Sequence, residues 1–243
     1  MKRVYFEIAE NIPIAPSVYK ITLSGDASDI TRAGQFVNVK IDGLYLRRPV
    51  SVCDFSRDAL TMIYKVVGKG TEKLSTKKRG EMLDVLSGLG NGYTLDNAGK
   101  RPLLIGGGVG IPPLYGLAKE LKKLGAEVSV ILGFNTEKEI FYREEFEKLG
   151  AKVLVTTADG SYGIKGFVTD ALGQTDYTYF YACGPEPMLK AVYKNTVTDG
   201  QFSFEERMGC GFGACMGCSC KTVTGYKRIC KDGPVLEKGE ILW

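Results

Sequence analysis

The hydrophobic pattern changes character once along the chain. Through the first hundred residues, apolar positions come in short runs rich in β-branched and aromatic residues: Val18–Leu23, Phe36–Ile41 and Leu60–Val67. The last two alternate in part with polar residues, the mark of strands with one face in a core. Met1-Lys-Arg-Val-Tyr-Phe-Glu7 also reads as a strand, and not as a leader. Pro13, Pro16, Gly25, Gly34 and Gly43 punctuate these runs, and short strands divided by turn residues predict an antiparallel barrel. One short helix is expected at Thr71–Lys78, after Gly68-Lys-Gly70.

Beyond Lys100 the pattern alternates between buried-type strands and helices. Strands are predicted at Leu103–Ile105, Val128–Leu132, Val153–Thr157 and Thr178–Ala182. Helices are predicted at Pro112–Leu124, where Gly125 supplies the stop, at Ile140–Leu149, and from about Glu186. Such alternation means a doubly wound parallel sheet. A cysteine-rich segment follows from about Gln201. The chain therefore reads as multi-domain β + α/β: a barrel over 1–98, a parallel-sheet domain over 99–200 and a small C-terminal segment over 201–243.

Composition narrows the function classes. Among 243 residues the net charge is +4, too mild to argue for nucleic acid, and no apolar run has the length of a membrane span. The chain has no histidine. That excludes a Ser-His-Asp triad, a Cys-His dyad and any His-ligated metal, so chemistry falls to cofactors or to carboxylates, Lys, Tyr and Cys. No catalytic side chain is assigned. The expected setting is a reducing cytoplasm.

Five of the seven cysteines lie between Cys210 and Cys230. From Cys210 the order is C-x4-C-x2-C-x11-C, which resembles the plant-type [2Fe–2S] ferredoxin run. Three thiolates on one loop can reach both irons, and the fourth arrives from a later segment. Gly209, Gly211, Gly213 and Gly217 allow the backbone to wrap closely and aim N–H groups at sulfur. Structural zinc and a disulfide framework are the competing readings. Only one C-x2-C pair is present, histidine is absent, and the cysteines crowd into one loop. The expected ligands are Cys210, Cys215, Cys218 and Cys230, with Cys220 a spare thiol beside them.

Two further elements suit phosphate. Arg47-Arg48-Pro49-Val50-Ser51 offers a charged donor on a strand, and Gly68-Lys-Gly70-Thr71 turns into a helix. Arg-Pro-Val-Ser followed about twenty residues later by Gly-Lys-Gly-Thr resembles the FAD-binding barrel of the ferredoxin–NADP reductase superfamily. The resemblance implies that Arg48 binds the FAD pyrophosphate and that Pro49, Val50 and Ser51 line the flavin. It also implies that Ile63, Tyr64 and Lys65 flank the cofactor, with Gly70 and Thr71 as a second phosphate element. Gly106-Gly107-Gly108-Val-Gly110-Ile-Pro-Pro113 lies between a strand and a helix. It resembles that superfamily's pyridine-nucleotide loop, and Cys183-Gly184-Pro185 resembles its turn beside the nicotinamide. Gly133-Phe-Asn-Thr-Glu-Lys138 brings no Arg for a 2′-phosphate, which favours NAD.

The whole set, with Glu206-Arg-Met-Gly-Cys-Gly-Phe-Gly-Ala-Cys-Met-Gly-Cys218 and the ending Cys230-Lys-Asp-Gly-Pro-Val235, resembles the electron-transfer subunits of class B dihydroorotate dehydrogenase. That resemblance implies an FMN-containing catalytic partner subunit in a heterotetramer with two copies of each. Electrons would pass from FMN through [2Fe–2S] and FAD to NAD, in pyrimidine biosynthesis. A reductase component serving an oxygenase or a ferredoxin is the alternative, and an iron–sulfur redox sensor is a non-enzymatic one. The basic run Lys69, Lys73, Lys77, Lys78 and Arg79 is expected as a solvated helix face, and Trp243 as a partner contact or free tail.

Overall fold

The computed structural model describes residues 1–243. Six antiparallel strands close a barrel: β1 (Lys2–Ala15), β2 (Val18–Ser24), β3 (Phe36–Val39), β4 (Arg48–Phe55), β5 (Ala59–Lys65) and β6 (Met82–Leu89), in the order β1-β2-β5-β4-β3-β6. Alternate side chains point inward. Phe6, Ile8, Ile21, Leu23, Val37, Leu60 and Met62 are sealed from solvent inside. Helix α1 (Lys69–Ser75) sits on the barrel through Leu74. It begins and ends earlier than its sequence suggests. The Thr71 hydroxyl accepts N–H bonds from Val67 and Gly68 at 2.9 and 3.3 Å, so the glycine turn itself opens the helix. At the other end the Asn11 amide donates to the carbonyls of Leu74 and Lys77, both at 3.0 Å, and closes the last turn.

The second sheet contains β7 (Pro102–Gly107), β8 (Ser129–Phe134), β9 (Lys152–Thr157), β10 (Ile164–Lys165), β11 (Tyr179–Cys183) and β12 (Gly200–Ser203), all parallel. Helices α2 (Pro112–Lys123), α3 (Arg143–Lys148) and α4 (Glu186–Asn195) connect them. The C-terminal segment holds a hairpin, β13 (Ser219–Thr222) with β14 (Gly225–Arg228), and then β15 (Val235–Glu237). β15 pairs antiparallel with β12, giving the order β10-β9-β8-β7-β11-β12-β15. The division expected at 200/201 thus falls inside β12, and the cysteine segment supplies the sheet's edge strand.

Helix α3 is shorter than the sequence pattern suggests. Tyr142 is left-handed at φ 62°, and its ring packs edge-on against Tyr115 at 5.1 Å, while Phe141 meets Phe134 at 5.5 Å. Packing of these two aromatics replaces the first helical turn. Trp243 is not a free tail. Its ring lies 5.5 Å from Tyr193, 5.4 Å from Phe202 and 5.5 Å from Phe204.

One core joins the three segments. Leu103, Ile105, Phe180 and Phe202 of the sheet pack with Cys218, Ile229 and Cys230, and with Phe36 and Leu89 of the barrel. On the other face α2 lies on β4. A Cβ on Gly116 would come 3.0 Å from the Cys53 carbonyl, and Lys119 pairs with Asp54 at 2.7 Å. No helix is long and apolar enough to cross a membrane.

Candidate functional site

Arg48 opens β4, and its guanidinium lies directly against Gly70 in the first turn of α1. A Cβ on Gly70 would come 2.2 Å from Arg48 Nε, so only bare backbone leaves the guanidinium its place. The two phosphate-suited elements of the sequence therefore meet in space, and the donor set suits a pyrophosphate. Arg48 also donates to the Leu46 carbonyl. Arg47 is committed elsewhere: it pairs with Asp84 at 2.9 Å. Thr71 spends its hydroxyl on the turn, which holds Gly70 in position. Val50 faces the barrel core, whereas Pro49 is exposed and Ser51 half-buried.

The β5 residues part company. Ile63 packs toward the α/β core. Tyr64 is buried in the barrel, stacked on Tyr19 at 5.8 Å, and donates to Asn11 Oδ1 at 3.0 Å. Lys65 reaches a cavity of about 590 Å³ between the barrel and the parallel sheet. Pro16, Val18 and Lys65 form its barrel wall. Gly107, Gly108, Gly110, Gly184 and Pro185 form the opposite one.

That second wall depends on missing side chains. A Cβ on Gly110 would lie 2.3 Å from the Cys183 carbonyl oxygen and 2.6 Å from Gly184 Cα. The glycine loop after β7 and the Cys-Gly-Pro turn after β11 thus touch backbone to backbone. Both lie at the carboxyl ends of adjacent parallel strands, where such sheets bind ligands. Cys183 is buried just behind this wall, and burial pushes its thiol up to about 12, so it stays neutral.

At the far end of the cavity Glu139 and Phe167 join the lining. Glu139 accepts from the Asn135 backbone N–H at 3.1 Å and from Asn135 Nδ2 at 2.9 Å. The pattern reading missed this carboxylate, although its place shortly after the second strand was a usable signal.

The four cysteines of the C-x4-C-x2-C-x11-C run form two hydrogen-bonded pairs. Cys210 N–H donates to Cys215 Sγ at 3.5 Å, and Cys230 N–H to Cys218 Sγ at 3.4 Å. Backbone N–H groups of Ala214 and Cys215 also converge on Cys210 Sγ, at 3.2 and 3.4 Å. Burial tends to raise the Cys210 thiol, but the backbone bonds from Phe212, Cys215 and Ala214, with the Cys215 thiol, outweigh it and bring it down to about 6. Burial, then neighbouring Cys218, pushes Cys230 up to about 12. Two thiol pairs ringed by N–H donors fit a two-iron group better than one tetrahedral ion. Gly211 and Gly213 take φ of 78° and 93°, while Gly209 and Gly217 are bare where Cys215 Sγ passes, at 3.2 and 3.5 Å from their notional Cβ positions. Cys220 stands apart on the β13–β14 hairpin, paired in register with Lys227. No disulfide joins any of the seven cysteines.

Residues 205–242 match the family described as the iron–sulfur cluster binding domain of dihydroorotate dehydrogenase B, and residues 104–194 match the oxidoreductase NAD-binding domain. The chain is 45% identical to the electron transfer subunit of dihydroorotate dehydrogenase B (NAD(+)) from Geobacillus sp. (strain WCH70), over 100% of this chain and 99% of that one. It is 43% identical to the subunit of the same name from Fusobacterium nucleatum, over 94% of each. Among solved structures it resembles an NADH-dependent reduced ferredoxin-NADP oxidoreductase, with TM-score 0.89 and 34% identity over 98% of this chain and 90% of that one. The Amycolatopsis cytochrome P450 reductase shares the fold, at TM-score 0.70 and 22% identity over 80% of this chain and 65% of that one.

Proposed function

The chain belongs to the family of electron-transfer subunits of NAD+-dependent dihydroorotate dehydrogenase B, and from that premise we propose how its residues divide the work. It carries electrons from dihydroorotate, oxidised on a partner subunit, through [2Fe–2S] and FAD to NAD+ in pyrimidine biosynthesis. The observation that carries the reading is the presence of three sites on segments that share a core: the Arg48–Gly70 cradle on the barrel, the cavity between barrel and sheet, and the paired cysteines of the C-terminal segment.

Arg48 holds the FAD pyrophosphate, with bare Gly70 admitting its approach and Thr71 fixing the turn. Pro49, Val50 and Ser51 shape the strand beneath the flavin, and Ile63, Tyr64 and Lys65 form its neighbour. Gly107, Gly108 and Gly110 receive the dinucleotide, and the Cys183-Gly184-Pro185 turn backs its nicotinamide end. The neutral Cys183 thiol keeps a negative charge away from that end. Glu139 accepts a ribose 2′-hydroxyl and repels a 2′-phosphate, which sets NAD over NADP. Cys210, Cys215, Cys218 and Cys230 would hold the two-iron cluster, which supplies one-electron transfer when bound. Flavin exchanges two electrons with nicotinamide and single electrons with an iron–sulfur cluster, which is why it stands between them. No side chain of this chain acts on dihydroorotate.

The partner is an FMN-containing catalytic subunit, two copies of each forming a heterotetramer. A reducing cytoplasm is the setting in which cysteines stay available as cluster ligands. The 34% likeness to a ferredoxin-NADP oxidoreductase supports a second reading, in which the same cofactors serve a ferredoxin. Anaerobic reconstitution separates them. With the FMN subunit added, dihydroorotate should reduce NAD+; either chain alone should not. Ferredoxin-dependent NADH oxidation without any binding of the FMN subunit would establish the second reading instead.

A further inference from the structure

Asn38 stands between two of the sites and was not marked by the sequence pattern. It is the one polar residue of β3, whose four positions are all buried, and is itself 1% exposed. Its backbone is in register with Pro49 of β4, immediately beside Arg48. Its side chain leaves the barrel for the cysteine loop, and Nδ2 donates to the Cys210 carbonyl at 3.2 Å. Gly211 closes over the same amide: a Cβ there would come 2.2 Å from Asn38 Nδ2, and the backbone is left-handed at φ +78°. Behind Asn38, Arg47 donates to its carbonyl at 3.4 Å and to the Asp84 carbonyl at 3.0 Å, while pairing with the Asp84 carboxylate.

Burying such an amide is costly, because Asn38 Oδ1 has no hydrogen-bond partner. A valine would satisfy the barrel better. What the amide gains is a hydrogen bond to the backbone of the Cys210–Cys218 loop; Asn91, the other barrel-side amide that reaches the C-terminal segment, bonds beyond the last cysteine, to the carbonyls of Asp232 and Val235. We propose that Asn38 is a positioning residue: it seats the Cys210 end of the cluster loop against the flavin-binding strand and so sets the passage of electrons between cluster and flavin. This rests on the reading of Arg48–Ser51 as flavin-binding and of the four cysteines as ligands. With NADH as reductant, two electrons reach the flavin as hydride. One then moves on, the flavin losing an electron and the oxidised cluster gaining it. Electron transfer falls steeply with distance, so a loop displaced from the strand slows this step and leaves the hydride step alone.

The test uses the purified chain loaded with FAD and cluster, mixed anaerobically with NADH. Flavin bleaching is followed by absorbance and cluster reduction by rapid freeze-quench EPR. Asn38→Leu keeps the γ-branched shape, at a larger volume, and removes the donor. Gly211→Ala pushes the loop off from the other side. In both, flavin bleaching should keep its rate, cluster reduction should slow relative to it, and the EPR line of the reduced cluster should shift. Asn38→Ser, which retains a donor, should recover part of the rate. Cluster reduction at the unaltered rate with an unaltered EPR line would overturn the proposal. Parallel slowing of flavin bleaching would also overturn it, by placing the effect in the flavin site. So would loss of iron from Asn38→Leu, which would make the residue one of cluster assembly. If the unsubstituted chain shows no NADH-reducible flavin or cluster, the functional reading itself fails, apart from any variant.

Discussion

Replacing Gly110 by alanine puts the glycine loop to a steric test with little ambiguity. Its φ is not left-handed, so backbone strain does not enter. What enters is contact: the new Cβ would lie 2.3 Å from the Cys183 carbonyl oxygen, 2.5 Å from its carbon and 2.6 Å from Gly184 Cα. All three are backbone atoms between the end of β11 and α4, and none can swing aside. Ordinary contact begins near 3.4 Å, so one of the two loops must retreat by about 1 Å. Overpacking of this kind costs about 1–3 kcal/mol of stability, and a 1 Å misplacement of a substrate-positioning element can cost on the order of a hundredfold in rate. The expected result is a fall of roughly ten- to a hundredfold in kcat/KM for NADH with ferricyanide as acceptor, with FAD and iron content retained. Gly107→Ala is the internal comparison. There the new Cβ meets Met188 Sδ at 2.5 Å, the far end of a flexible side chain that can yield, so the loss should be much smaller. Equal effects from the two variants, or an unchanged kcat/KM in Gly110→Ala, would refute the claim that backbone contact between these loops shapes the nucleotide site.

Arg48→Ala should loosen FAD: losing a charged hydrogen-bond donor costs about 1.5–3 kcal/mol, or roughly a ten- to hundredfold rise in the FAD dissociation constant, read by flavin fluorescence on dilution; unaltered retention would free Arg48 from that role. Cys220→Ser should keep iron and acid-labile sulfide, while Cys215→Ser and Cys218→Ser should lose them, since of the five C-terminal cysteines only Cys220 lies outside the two thiol pairs. Iron loss from Cys220→Ser would show a different ligand set. Glu139→Gln should raise the affinity for 2′,5′-ADP relative to 5′-AMP by about tenfold, the scale of one close charge contact, measured by calorimetry; an unchanged ratio would remove Glu139 from nucleotide selection.

Much of the fold was legible because local sequence carries it. Short β-rich runs marked strands β2, β3 and β5, the last two with partial alternation, and the strand–helix alternation after Lys100 marked the parallel sheet. β6 escaped notice, since Ser87 interrupts its buried face and Gly88 beside it reads as a turn residue. β15 was equally silent, because three residues hold no period and its place is set by pairing with β12.

The sequence alone determined the chemistry on offer. A cysteine spacing, a glycine loop and a strand arginine are each contiguous, so backbone geometry within one turn or loop constrains them and leaves a readable trace. The absence of histidine likewise needed no coordinates. Tertiary structure decided which of these groups meet. It set Arg48 against Gly70 and Gly110 against Cys183, joined Cys218 to Cys230, and turned Trp243 inward onto Phe202. It also brought Asn38 under Cys210, across most of the chain. Contacts of that kind depend on strand order and register, which hydrophobic periodicity does not encode: it says which face of a strand is buried, and not which distant segment will cover it.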